Sequence, residues 1–332
     1  MLKLAVIGAQ TLLGRELVQA LEQLECSVLP LAVGPMSKDD EDGSDLVVFA
    51  PEPALLEGLD VAILADAPQD PGLIERFKGR ILDLREDGTA VGEPIPLAGG
   101  WPEGASRLRG RPAIELALAM VPSLVHGAER IHGTHLRSVA QLGEKGIRGL
   151  ADQTRAILDG FEPDTSELGY RAAFEAIPMP PKGSLVEVRV PTFHGDILVL
   201  HLMGCLKKID SPENLQDVQW LDAPPTSRDV AVSDKLLLHY SPNSAGAVLV
   251  MGFDPILWGT LRPVARLLGL IALPVGNGTE CIGCADNGAE SKESAYGGIA
   301  DQRAIKDQRR TSRVSKRSAG YRENEASHLV KR

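Results

Sequence analysis

The stretch Leu2-Lys3-Leu4-Ala5-Val6-Ile7-Gly8-Ala9-Gln10-Thr11-Leu12-Leu13-Gly14-Arg15-Glu16-Leu17-Val18 decides the fold. Its apolar run begins beside Met1 and stops at Gly8, and apolar residues at helical spacing follow from Leu13 to Leu24. It therefore reads as strand, tight turn and helix, the first half of a βαβ unit. A glycine-rich turn of this kind lets a pyrophosphate approach backbone N–H groups at the positive end of the helix dipole. Gly8 and Gly14 frame the turn, but Gln10 and Thr11 fill the middle, where the dinucleotide fingerprint has a further glycine. The turn either binds a nucleotide or keeps glycines that the fold alone requires.

Working outward, residues 27–33, 59–65 and 80–84 read as strands, 37–44 as an acidic loop and 68–77 as a short helix. Strands alternating with helices over the first 100 residues predict a doubly wound parallel sheet. Residues 87–112 hold six glycines and four prolines and read as a domain junction. Beyond it, 114–123 reads as a helix ending near Pro122, 131–142 as extended, and 143–160 as an amphipathic helix. Residues 185–190, 197–203, 236–240 and 247–250 read as strands of a mostly antiparallel sheet.

The prediction is an α/β chain in four parts. A Rossmann-type, dinucleotide-binding-like domain with a parallel sheet occupies 1–112. An α+β substrate and dimerisation domain occupies 113–255. A helix over 256–275, kinked at Pro263, returns to the first domain. The remainder, 276–332, is too polar and too poor in apolar residues to pack, and is expected to be a disordered tail.

Composition narrows the function. With 332 residues, 43% hydrophobic and 24% charged, the chain can bury two ordinary cores. No apolar run reaches the roughly 20 residues that a membrane span needs, and Met1 leads straight into a strand. A cytoplasmic protein with no membrane partner is expected. Cys26, Cys205, Cys281 and Cys284 are too few for a disulfide framework. Cys281 and Cys284 form a CxxC pair, but the tail adds only His328, so two incidental thiols are the better reading than a zinc site. Residues 276–332 hold 11 Lys and Arg against 8 Asp and Glu, which leaves 24 against 37 in the body. That acidic body argues against nucleic acid as a partner. The Arg-rich tail end is either an arm for acidic partners or a sequence with no fixed role.

The blocks now on the page form a series. A chain that begins VIGAxxxxG and continues LDVAILA then carries Ser138-Val139-Ala140-Gln141-Leu142-Gly143-Glu144-Lys145-Gly146, Leu150-Ala151-Asp152-Gln153-Thr154 and Arg189-Val190-Pro191-Thr192-Phe193-His194-Gly195-Asp196. It resembles the aspartate-semialdehyde dehydrogenases, and among them the divergent Usg-like homologues, over about residues 1–275. The resemblance implies an NADP-binding first domain, with Gly8, Ala9, Thr11, Gly14 and Ser37 at cofactor positions. It also implies a second domain that holds substrate and makes a homodimer.

The family reduces an acyl phosphate through a cysteine thioester, which needs a nucleophile, a proton-shuttling histidine and cations for the substrate's acid groups. By resemblance the nucleophile position falls on Arg111, an always-protonated side chain that cannot attack a carbonyl. The shuttle position falls on Asp196. His194, two residues earlier, is a substitute that would share a strand face with it about 7 Å away. Arg189 matches the arginine that binds the substrate carboxylate. The family's active-site glutamine falls on Leu136, a further arginine on Thr89, the 2′-phosphate cation on Met36 beside Ser37 and Lys38, and the asparagine near the nicotinamide on Pro263. The expectation is thus a dehydrogenase-like protein with NADP implied but its binding in doubt. Its chemistry is impaired or absent, and the alternative is a non-enzymatic dimeric scaffold or a protein that binds a small metabolite.

Overall fold

The computed structural model describes residues 1–35, 46–85, 89–181, 183–208 and 217–271, all within one compact unit, Met1–Ala289. The acidic loop with Met36, Ser37 and Lys38, and the tail with Cys281 and Cys284, lie outside the described residues.

The opening stretch folds as its pattern dictates. Strand β1 (Leu2–Ile7) leads through Gly8 into helix α1 (Leu12–Glu22) and then β2 (Cys26–Leu31). Leu4, Ala5, Val6 and Ile7 are all fully buried, because a parallel sheet has both faces covered. Helix α1 buries Leu17, Val18 and Leu21 on one face of the sheet. Strand β3 (Val61–Leu64), helix α2 (Pro71–Glu75) and β4 (Arg80–Asp83) continue the winding.

Residues 87–112, read as a junction, also supply β5 (Glu93–Pro94) and β6 (Arg107–Arg109) to this sheet. The strand order is β2-β1-β3-β4-β6-β5 and every pairing is parallel. Strands of two and three residues are too short for a periodic signal to rise above the glycines and prolines around them.

Helix α3 (Ala113–Leu124) runs directly into β7 (Val125–Arg137). It ends near Pro122 as expected, with the proline in its last turn. Proline costs the helix a single N–H bond, and the burial of Val121 and Leu124 holds the turn. Strand β7 starts earlier than expected, because its polar first half pairs across a bulge with the far end of a long partner strand. Residues 138–142 are not extended: Val139–Leu142 forms a 3-10 turn leading into α4 (Gly143–Leu158).

Then follow β8 (Ile177–Pro178), β9 (Leu185–Arg189), β10 (Asp196–Lys208), β11 (Val218–Trp220), α5 (Ser227–Ala231), β12 (Leu236–Asn243) and β13 (Gly246–Phe253). The second sheet has the order β11-β12-β13-β10-β7-β9-β8. It is mostly antiparallel as expected, with β7–β9 and β11–β12 the parallel pairs. Leu116, Val121 and Leu124 of α3 pack on Leu198, Leu200, Met251 and Phe253 of this sheet.

The chain then makes a wide π-type turn, Leu257–Leu261, that leads into α6 (Arg262–Leu267). The bend expected at Pro263 is this turn. Leu261, Val264 and Leu267 join Leu4, Leu17 and Leu21 in the first core. Among the described residues no helix is long and apolar enough to cross a membrane.

Candidate functional site

Two hollows adjoin each other, both lined in part by Leu84, Gln141 and Thr260. The larger, about 810 Å3, lies between the loop that joins β6 to α3, the face of β7 and β9, and the last helix. The smaller, about 470 Å3, runs along the turn from β1 to α1 and is lined by Gln10, Thr11, Asp66, Gly143 and Glu144 among others.

The large cleft gathers Arg85, Arg109, Arg111 and Arg137 against Glu115 and Glu187, a lining with two more guanidinium groups than carboxylates. Each arginine is placed by a different element. Arg85 follows β4 and is held by Asp83, with Nε on Oδ1 at 2.8 Å and Nη2 on Oδ2 at 2.7 Å. Asp83 is fully buried and also accepts from Arg107 at 2.8 Å and the Val91 N–H at 3.1 Å. Burial by itself would push the Asp83 carboxyl up, but the hydrogen bonds from Arg85, Arg107 and Val91 outweigh it and hold the group below its ordinary range.

Arg109 ends β6. Arg111 precedes α3, donates from Nε to the Ile95 carbonyl and lies 3.8 Å from Glu115. Pro112 at the head of α3 provides no side-chain cap, so the positive end of that helix is open toward the cleft it lines. Arg137 closes β7 and donates to Glu187 at 3.3 Å.

At the edge of the cleft is a buried polar group. Asp196 accepts from the Ser138 N–H at 2.9 Å, the Ser138 hydroxyl at 2.7 Å and the Gln141 amide. His135 Nε2 is 2.8 Å from Oδ2, the oxygen that also accepts from Gln141, while both Ser138 bonds fall on Oδ1. A carboxylate only accepts, so this network places a proton on His135 Nε2. Nδ1 is buried and has no partner among the described residues. The ring stacks on Phe253, with centroids 6.2 Å apart.

The residues expected from the sequence are only partly brought together. Arg111 lines the cleft, and Asp196 holds His135 and Gln141 there. Arg189 does not line it: its guanidinium lies 4.9 Å over the Tyr170 ring and 3.8 Å from Glu187. The shared face of His194 and Asp196 is corrected. Gly195 has φ +85° and sits before β10 begins, so the alternation of a strand does not reach back to His194. His194 is part-exposed, and its Nδ1 is 3.8 Å from Asp254 instead. Leu136 lies on the opposite sheet face, packed with Ile197. The Thr89 carbonyl accepts from Arg85, and Pro263 lines the cleft.

Cys205 lies exposed within β10, which runs past the expected strand end at residue 203. Burial pushes the Cys26 thiol up, and its Sγ donates to the Leu21 carbonyl, so Cys26 is not an activated thiolate. Sequence reasoning missed Arg85, Arg109, Arg137, His135 and Gln141. The available signal was His135/Arg137 and Arg107/Arg109 at a spacing of two, the period of one strand face.

The smaller hollow has the position of a nucleotide site but not its chemistry. Gly8 has φ +88°, and a Cβ there would stand 2.8 Å from the Asp66 backbone nitrogen. A Cβ on Gly14 would collide with the Gly8 carbonyl oxygen. Both glycines are thus required by packing, and Ala9 is fully buried. The Thr11 hydroxyl accepts from the Gly14 N–H at 3.1 Å, taking a donor that a pyrophosphate would use. Asp66 and Glu144 add two carboxylates to the lining and Lys145 one cation. The turn thus lacks the fingerprint's central glycine and carries a net negative lining, a poor match to a dinucleotide pyrophosphate. Among the described residues no group of His, Cys, Asp and Glu could hold a metal ion.

No family model matches the chain, and no curated protein matches it. Solved structures do. Aspartate semialdehyde dehydrogenase II from Vibrio cholerae, complexed with ASA, superposes with a TM-score of 0.65 at 19% identity, covering 81% of this chain and 98% of that one. A probable aspartate-semialdehyde dehydrogenase from Pseudomonas aeruginosa gives 0.60 at 18% identity, with 81% and 97% covered. The aspartate semialdehyde dehydrogenase from Francisella tularensis gives 0.59 at 14% identity, with 81% and 99% covered. At these identities the likeness is one of fold, and the fold of this chain is that of the aspartate-semialdehyde dehydrogenases.

Proposed function

We propose that this chain is a divergent relative of the aspartate-semialdehyde dehydrogenases that has lost their chemistry and binds a small anionic metabolite in the arginine-lined cleft, as a homodimer. The observation that carries the reading is Arg111 at the head of α3, in a cleft lined by four arginines and no cysteine. The family reaction interconverts aspartyl phosphate and aspartate semialdehyde with NADP, and it runs through a thiolate. A guanidinium cannot replace one, because it stays protonated at any accessible pH. The same group is well suited to hold a carboxylate or phosphate through its planar fork of donors. Loss of the nucleophile together with a dinucleotide turn that does not fit a pyrophosphate supports binding over turnover.

The test has two arms. Purified protein is assayed for phosphate-dependent oxidation of aspartate semialdehyde with NADP, and Arg111→Cys is assayed beside it. Neither is expected to exceed the blank, because the variant restores a thiol without a histidine at position 196. Turnover by the natural chain sinks the proposal. Calorimetric titration with sulfate and with succinate is expected to show binding that Arg111→Gln weakens about tenfold or more, the loss of one charge-assisted contact. No binding of either anion also sinks it.

A further inference from the structure

The smaller hollow is a poor match to a dinucleotide, and its walls have a chemistry of their own. Leu12 and Leu13 of α1, Leu84 after β4, Ala140 of the 3-10 turn, and Pro255 and Ile256 ahead of the last helix line it. Leu84, Ala140, Pro255 and Ile256 are buried and form its floor. Its charged groups, Asp66, Glu144 and Lys145, are exposed, which puts them at its mouth. A largely apolar hollow of about 470 Å3 has the size and lining of a small-molecule pocket.

This hollow is continuous with the arginine cleft. Leu84, Gln141 and Thr260 line both, so a ligand seated in one extends into the other across Leu84. The two differ in charge: guanidinium groups outnumber carboxylates in the cleft, and carboxylates outnumber the single ammonium in the hollow. An anionic head is therefore favoured in the cleft and disfavoured in the hollow. Within the cleft Arg85 is held by Asp83 and Arg137 by Glu187. Arg109 makes no hydrogen bond or ion pair among the described residues, so its fork of donors is open to a head group.

We propose that the ligand is an anion with an aliphatic tail, of the class of the medium-chain carboxylic acids, whose head meets Arg109 and Arg111 while its tail crosses Leu84 into the hollow. This rests on the reading of the cleft as an anion site and adds what the anion is attached to. Each tail methylene that leaves water for the hollow strengthens binding by about two- to fourfold. Asp66 and Glu144 at the mouth repel an anionic bilayer surface, so the source of the ligand is the free acid and not a membrane lipid.

Sulfate, acetate, butyrate, hexanoate and octanoate are titrated calorimetrically into the full chain at neutral pH, in a buffer free of carboxylate and phosphate. Sulfate should bind, affinity should rise along the acid series by about two- to fourfold per methylene, and sulfate should displace octanoate. Arg109→Gln should weaken sulfate and octanoate alike, by about tenfold or more. Leu12→Gln and Leu142→Gln are neutral changes at positions of the hollow that are not fully buried. In both, the dependence on chain length should flatten while sulfate binds as before. Methyl NMR of the natural chain needs no variant to fold: the Leu13 and Ile256 signals should shift with octanoate and not with acetate. Vesicles containing phosphatidylglycerol should leave the chain in the supernatant, and co-sedimentation that octanoate abolishes overturns the free acid as the ligand. Octanoate that binds no tighter than acetate, or that sulfate does not displace, overturns the tail site and leaves the anion site standing. No binding of sulfate or of any acid overturns both.

Discussion

His194 Nδ1 stands 3.8 Å from Asp254 Oδ2, an ion-pair distance longer than a direct hydrogen bond. Asp254 Oδ1 in turn accepts from the Ile256 and Leu257 N–H groups at 2.8 Å each, at the start of the turn that leads the chain into its last helix. The pair thus ties the loop before β10 to that turn. The Asp254 carboxylate raises His194 above its ordinary value; burial acts against it, and Glu16 on α1 adds to the pull.

A group raised on folding stabilises the fold fully below its unfolded value, near 6.5, and ceases to do so as pH climbs through its higher folded value. Urea unfolding of the natural chain should therefore lose stability as pH climbs above about 6.5, relative to His194→Gln, whose profile should be flatter. The histidine is 39% exposed, so screening limits the effect to about 0.2–1 kcal/mol. Parallel profiles for the two proteins would show that the pair contributes nothing.

Thr11 supplies the next test. It caps α1 through Gly14 and also donates to the Gly8 carbonyl at 2.8 Å, so Thr11→Ala should lower stability by about 1 kcal/mol and Thr11→Gly by only a few tenths. Thr11→Gly restores the central glycine of the fingerprint but leaves Asp66 and Glu144 in the hollow. Fluorescence titration with NADPH should show no micromolar binding in either the natural chain or this variant. Tight binding gained by the glycine alone would mean that the threonine was the sole obstacle.

What the sequence disclosed follows from how each feature is encoded. Strand β1 and helix α1 were legible because their apolar residues are contiguous or regularly spaced, and the sheet covers both faces of the strand. Strand β6 was hidden because three residues between glycines hold no period. The first half of β7 was hidden by its polar sequence, which only its pairing with β10 makes a strand. Arg111 could be reached by counting along the chain. The cleft could not, since Arg85, Arg109 and Arg137 come from separate segments and only the fold brings them together. His194 misled because two residues apart means one face only inside a strand, and Gly195 ends that regularity.

Asp83 is the buried anchor that aims Arg85 into the cleft. Asp83→Asn removes the negative charge and leaves Arg85 and Arg107 without their common partner, which should cost about 3–5 kcal/mol near neutral pH. The contribution of a lowered carboxyl is complete above its unfolded value near 3.8 and is lost as pH falls through the folded value. The gap in urea midpoint between natural chain and variant should accordingly be wide at pH 7 and close progressively in acid. A gap that stays constant to pH 3 would assign the loss to packing instead of charge.

The final prediction concerns the second sheet. Its face toward α3 is filled by Leu198, Leu200 and Leu202, so Val199, His201 and Met203 of β10 point the other way. At one end α5 covers that outer face, with Val230 packed on Ile197, Leu237 and Val250. Farther along β10 nothing described lies over it: His201 is exposed and Met203 is 41% exposed. Val199 and Val248 continue the apolar strip between these two regions.

An apolar strip of this kind on a sheet is what a second copy would cover. Light scattering at several concentrations should give twice the chain mass. Deletion of residues 276–332 should leave the dimer intact, because that tail has too few apolar residues to offset the entropy of ordering it. Val199→Glu and Met203→Glu place a charge in the seam and should give monomers, with circular dichroism and urea unfolding confirming that each variant still folds. A monomer in the natural chain would remove the dimer. A dimer untouched by both charges would place its interface elsewhere on the molecule.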